Sequence, residues 1–290
     1  MLWLYAIIGE LVLETFIAVR YRHIAQKHPH DAALRTALMY GYGVMPVALM
    51  WYIVSGSPQL VIQPQLLVLT VIASTLFATA NILVYRAYSH LNASHYGIIN
   101  TFKYVVVVVI ASLLLHDNLS QQQWIGSLII IVASIIASAK PVTTRSSKKI
   151  RQYIFIAIIA STLSGLATVV EKFIVSSVEI SVYIIIGWGL QSVIQLLFAR
   201  PRRDIVRAIR QNKQLSPLIL IGVMRGIGGV LFVFALSNSQ NAALVASVAA
   251  SKVILITLAG IIFLREQSNI RTILTCAIMA FTGIVLIVLG

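Results

Sequence analysis

With one cysteine in 290 residues, Cys276, the chain can form no internal disulfide and has no thiolate cluster to hold a metal. Acidic residues are scarce too: eight Asp and Glu stand against 22 Lys and Arg, leaving a formal net charge of +14. Charged residues of both signs make up only 10% of the chain. There is no Walker lysine and no GxGxxG turn between a strand and a helix, which excludes the usual nucleotide chemistries. His23, His28 and His30 are too irregularly spaced for a metal site. No Ser/His/Asp, Cys/His or paired-carboxylate set can be assembled, so neither an enzyme nor a cofactor is expected.

What is abundant is apolar sequence. Hydrophobic residues account for 59% of the chain and the mean hydropathy is +0.93, which no water-soluble domain of this length sustains. Apolar stretches of about 20 residues predict helices over 2–19, 34–54, 65–85, 93–115, 122–139, 152–171, 179–198, 216–236, 242–264 and 271–289. Strands of a membrane barrel would alternate in polarity, whereas Tyr104 to Leu115 is apolar on every side. The expected fold is therefore an all-α integral membrane protein with ten transmembrane helices. Residues 1–19 have no positive charge before the apolar run and no small-residue cleavage pattern after it, so they read as a retained first helix.

The basic residues mark sidedness, not a nucleic-acid surface. Eighteen of the 22 follow odd-numbered helices: Arg20, Arg22, Lys27 and Arg35 after the first, Arg86 after the third, Lys140, Arg145, Lys148, Lys149 and Arg151 after the fifth, Arg200 to Lys213 after the seventh, and Arg265 and Arg271 after the ninth. The other face has only Lys172. The positive-inside rule then places these loops in the cytoplasm and both termini outside it, in a multi-pass protein of the cytoplasmic (inner) membrane. A contact between Arg200 to Lys213 and anionic lipid is a second reading of that cluster.

The chain also repeats itself. Lys103 and Lys252 each stand inside a long apolar run with an acid fourteen residues later, Asp117 and Glu266, and the same offset of 149 residues carries Asn92-Ala93 onto Asn241-Ala242. Five helices per copy means that the second inserts upside down relative to the first, and the basic loops follow local helices 1 and 3 in the first copy but 2 and 4 in the second. The expected organisation is two inverted five-helix repeats, 1–140 and 152–290, joined by a cytoplasmic linker at 141–151.

Two five-helix copies, an asparagine-alanine start to each fourth helix, and endings that read Leu113-Leu-Leu-His-Asp117-Asn-Leu and Ile262-Phe-Leu-Arg-Glu266 resemble the drug/metabolite transporter superfamily, in particular its EamA-type members. The resemblance covers nearly the whole chain. It implies a secondary transporter with a central cavity lined mainly by helices 1, 3, 4, 6, 8 and 9. Many members carry a proline near the midpoint of helices 4 and 9, where this chain has Lys103 and Lys252. Ser247 to Phe263 is similar to the penultimate helix of plastid sugar-phosphate translocators, in which a Lys-Arg pair binds phosphate; only Lys252 matches, with Val253 in the arginine position. Helix 1 resembles that of small multidrug-resistance transporters, whose essential glutamate Glu14 matches by its distance from the start.

A cation inside a bilayer costs roughly 3 kcal/mol on insertion scales, so each lysine needs a reason. Tyr96, Asn100 and Lys103 recur at spacings of four and three and so share one helix face. In one reading Lys103 and Lys252, with Tyr96, Asn100 and Arg225, bind an anionic substrate; in the other the lysines are structural and paired with Glu10 and Glu14, which share a face of helix 1. Arg225 itself reads as cavity lining or as an ion-pair partner, and Gly222 and Gly226 as helix-packing positions. Glu171 and Lys172, at the outer interface, read as snorkelling or mutually paired surface residues in preference to a role in transport.

The leading functional expectation is a secondary transporter that moves a small polar, anionic metabolite by alternating access. Its partners are that small molecule, the lipid bilayer and a coupling ion, the proton, and the chain is a monomer or homodimer. The alternatives are a proton-coupled exporter of cations or drugs through Glu14 and a non-transporting membrane protein.

Overall fold

The computed structural model describes residues 2–115, 120–139, 147–199, 215–238, 245, 249, 252–264 and 270–289. Every element it describes is a helix. In chain order these are α1 (Leu2–Lys27), α2 (Ala32–Val54), α3 (Pro64–Tyr88), α4 in two pieces (Ala93–Asn100 and Phe102–Leu115), α5 (Gln121–Ala139), α6 (Ser147–Val175), α7 (Ile180–Phe198), α8 (Leu215–Asn238), α9 (Lys252–Phe263) and α10 (Ile270–Leu289). Six of them, α1, α2, α3, α6, α7 and α8, are long and apolar enough to cross a membrane. The repeated acids Asp117 and Glu266, the Asn241-Ala242 pair, Ser247, Ser251, Arg265 and the basic cluster from Arg200 to Lys213 lie outside the described residues.

Large apolar side chains cover the outside. Leu197 is 80% exposed and Val54 77%, while the interior is rich in alanine, glycine and tyrosine. That inversion suits a lipid surround, where a leucine gains nothing by hiding and small residues let backbones approach. At the α2–α8 crossing a Cβ on Gly43 would lie 2.5 Å from the Gly222 Cα, and one on Gly222 would collide with the Met39 carbonyl. Gly226 faces Val47 just as closely, so Gly222 and Gly226 do pack helices.

The halves interlock. α1 packs on α8 and α9 of the second half, and α6 packs on α3 and α4 of the first; α2 meets α7, α4 meets α9 and α5 meets α10. Replacing each helix by the one five further on maps this pattern onto itself, as a two-fold relation between the halves requires.

Three local features differ from the sequence reading. Helix α1 runs on to Lys27, so Arg20 and Arg22 are helical and not in a loop. Arg22 is buried and donates to the Tyr88 carbonyl and the Asn92 side chain, tying the ends of α1, α3 and α4 together. Lys172 at the end of α6 likewise donates to the Leu236 carbonyl at the end of α8. Cations thus cap the terminal carbonyls of the third helix in each half. Helix α6 begins at Ser147, so the last five residues assigned to the linker are its first turn, and 140–146 lie outside the described residues.

The third feature is the break in α4. Thr101 interrupts the helix two residues before Lys103, and the backbone there closes tighter i→i−3 bonds, from Thr101 N–H to Ile98 O and from Tyr104 N–H to Thr101 O. The Thr101 hydroxyl donates to the Ile98 carbonyl at 2.6 Å. The helix is thus interrupted here without a proline, and the chain keeps a backbone N–H at this position.

Candidate functional site

A cavity of about 190 Å³ opens between the halves, lined by residues of α1, α2, α3, α4, α6, α7, α8 and α9. Its wall carries all the predicted site residues: Glu10, Glu14, Tyr96, Asn100, Lys103, Arg225 and Lys252. Helix 4 presents Tyr96, Asn100 and Lys103 on its inner face, as their spacing predicts, and the break at Thr101 falls within that stretch. Discontinuous helices turn terminal backbone groups toward the binding site in several transporter folds.

The two lysines, alike in sequence, are unlike in structure. Lys252 Nζ donates to Glu10 Oε1 at 2.7 Å, and both side chains are buried. This is the one ion pair within 4 Å among the described residues, and it fastens α9 to α1. Lys103 meets no carboxylate there; its ammonium stands 4.9 Å from the centre of the Tyr104 ring, a cation–π contact. Glu10 Oε2 is buried and has no hydrogen-bond partner among the described residues.

Arg225 is cavity lining and has no ion-pair partner among the described residues. Its guanidinium donates to Asn81 Oδ1 at 2.9 Å, and the Asn81 amide donates on to the Tyr40 hydroxyl at 2.8 Å. Tyr40 opens the π-turn Tyr40–Val44, which bulges α2 at this level. The Arg225 guanidinium also lies 5.7 Å from the Tyr21 ring centre. Tyr21, Tyr88 and Tyr96 then follow ring against ring, with centroids 5.6 and 4.3 Å apart, along one wall.

Glu171 is not at the surface. It is 4% exposed, lines the cavity and accepts a 2.9 Å hydrogen bond from the Tyr183 hydroxyl, which overturns the reading of a surface pair with Lys172. Ser164, Thr168 and Glu171 line one face of α6 at spacings of four and three, the same signal that located the α4 face. Asn81 and Gln191 complete the set that sequence reasoning missed. The cavity thus carries three carboxylates, Glu10, Glu14 and Glu171, and three cations, Lys103, Arg225 and Lys252. No group of three or more His, Cys, Asp or Glu could hold a metal among the described residues.

Comparison with known proteins agrees with this architecture. One solved structure, a crystal structure whose title names no function, superposes with a TM-score of 0.66 at 13% identity, covering 99% of this chain and 96% of the other. Likeness at that identity speaks for the fold alone. No curated protein matches the sequence. The model of a family described as the EamA-like transporter family matches twice, over residues 2–139 and 151–289.

Proposed function

This chain belongs to the EamA-like transporter family, and from that premise we propose that it moves a small polar metabolite bearing an acidic group across the cytoplasmic membrane. Transport proceeds by alternating access of the central cavity. Ten membrane spans in two inverted repeats, 1–140 and 152–290, carry the cycle, with both termini outside the cytoplasm. The doubled family match and the contact pattern that survives exchange of the halves support that layout. A cavity of about 190 Å³ favours a small cargo, since pockets for drug-sized ligands run to about 300–1,000 Å³.

One observation carries the acidic group: Lys103 and Arg225 line the cavity with no carboxylate within ion-pair distance among the described residues. Each rests against a tyrosine face and keeps donors for an incoming anion. Lys252 is held by Glu10 and supports helix 1 before it supports cargo.

Purified protein in liposomes, screened with carboxylate and phosphate metabolites, tests the reading. Lys103→Met and Arg225→Gln should each abolish uptake of the cargo while leaving the fold intact by thermal melting. Unchanged uptake in both variants would falsify the anion assignment.

A second reading has its own observation. Glu14 lines the cavity without a hydrogen bond or ion pair among the described residues, which suits a group that exchanges a proton with the cargo. In that case Glu14→Gln abolishes gradient-driven transport and spares binding.

A further inference from the structure

The amide of Gln195 has no evident reason to be where it is. Gln195 is completely buried in α7, and neither its Oε1 nor its Nε2 has a hydrogen-bond partner among the described residues. Buried polar groups are nearly always paired, so an orphaned amide in a lipid-embedded helix calls for a state in which it is paired.

Its position supplies one. One helical turn before it, Gln191 lines the central cavity. One turn after it, Ala199 lines a second cavity of about 430 Å³, formed with Phe198, Arg86 and the segment from Pro29 to Leu34 that leads into α2. At 1.5 Å of rise per residue, Gln191 and Ala199 are about 12 Å apart along the axis, with Gln195 midway. Gln191, Gln195 and Ala199 are all buried; the two glutamines lie on one face of α7, and Ala199 is the residue that ends it. Helix α2 packs against α7, and a Cβ on Gly41 would come 3.5 Å from Ser192 Oγ, so it passes α7 between those levels.

We propose that Gln195 plugs a closed permeation route between α2 and α7, joining the central cavity to the Arg86 cavity, and that its amide hydrogen-bonds to water and cargo when the route opens. The inference rests on the transporter reading and on the placement of the Arg86 end in the cytoplasm. It adds a route and a residue to that reading. The second cavity becomes the cytoplasmic vestibule, and its Arg86 draws an acidic cargo toward the plug.

The test uses cysteine accessibility, for which the chain is well suited: its single native thiol, Cys276, is buried in α10. In the full-length protein in liposomes, Gln195→Cys should react with a membrane-impermeant thiol reagent from the cytoplasmic side at least tenfold faster than Cys276, and added cargo should change that rate. Gln195→Leu should cut the transport rate at least tenfold while leaving cargo-dependent thermal stabilisation in place. The proposal fails if Gln195→Cys is inert from both sides, or if Gln195→Leu transports at the wild-type rate and melts higher, as replacement of a merely unpaired amide would. Gln195→Ser, which keeps a polar group in less volume, should retain transport; its loss in a folded protein counts against the route. Labelling needs no transport activity, so it reports on the route even if the cargo assignment is wrong.

Discussion

At the scale of single residues, the Lys252–Glu10 pair is the most consequential contact. Removing one partner strands a buried charge, which typically costs about 3–5 kcal/mol, whereas replacing both with apolar residues is often neutral. Lys252→Met and Glu10→Gln should each lower the melting temperature in detergent, and the double variant should recover much of the loss. A double variant no better than the worse single one would mean the two side chains are not coupled. Tyr183→Phe removes the hydroxyl that donates to Glu171 Oε1, and loss of that hydrogen bond should lower stability in a thermal melt by about 0.5–1.5 kcal/mol. If Glu171 serves cargo and not only packing, transport should change more in Glu171→Gln than stability does. Residue identity was legible at Lys103, Lys252, Glu10, Glu14 and Arg225 because a charge inside an apolar run is conspicuous. Glu171 was not: next to Lys172 at the end of a span it has the pattern of an interfacial pair, and only its burial against Tyr183 separates the two cases. The difference between the lysines was equally hidden, since it depends on which one helix 1 approaches.

At the scale of elements, the apolar lengths located the described helix ends to within a few residues, apart from the eight-residue extension of α1 and the early start of α6; the expected start of α9 at residue 242 lies outside the described residues. Those ends escaped because Arg20, Arg22, Ser147, Lys148, Lys149 and Arg151 are polar, and hydropathy stops where charge begins although hydrogen bonding need not. The break in α4 was illegible because Thr101 is neither proline nor glycine, and its hydroxyl bond to the Ile98 carbonyl leaves no mark in hydropathy. Glycine spacing marked Gly222 and Gly226 as packing positions, but not α2 as the helix they pack against. Gly222→Leu would force that crossing apart, and overpacking of this kind costs about 1–3 kcal/mol or more where the obstacle is backbone. The expected result is poor yield and early melting, while Gly56→Ala, in a loop with open space around it, should behave as a milder variant governed only by its positive φ of 85°. Equal stability of the two variants would contradict the crossing.

At the scale of the molecule, the sequence repeat reveals two copies but not their interlocking. Sequence similarity records which segments are alike, but not that contacts run both between like ones, α5 with α10, and between unlike ones, α1 with α8 and α6 with α3. Neither half closes its own interior. Residues 1–139 expressed alone should therefore fail to give a protease-resistant core, while co-expression with 147–290 should restore both resistance and transport. Recovery of a stable, soluble-in-detergent first half by itself would show that the interlocking is dispensable.

The separation in sequence between Glu10 and Lys252, 242 residues, also sets an order of events during synthesis. At about 5–20 residues per second, the ribosome needs roughly 12–50 s after completing the first glutamate to produce the lysine that pairs with it. For most of that interval α1 carries two carboxylates into the bilayer before α8 is complete, and for all of it before Lys252 on α9 exists. Protonation, an insertase or delayed partitioning from the translocon must shelter it meanwhile. The nascent first helix therefore spends that interval without the cation that pairs with it in the folded protein, and the ninth helix brings that cation.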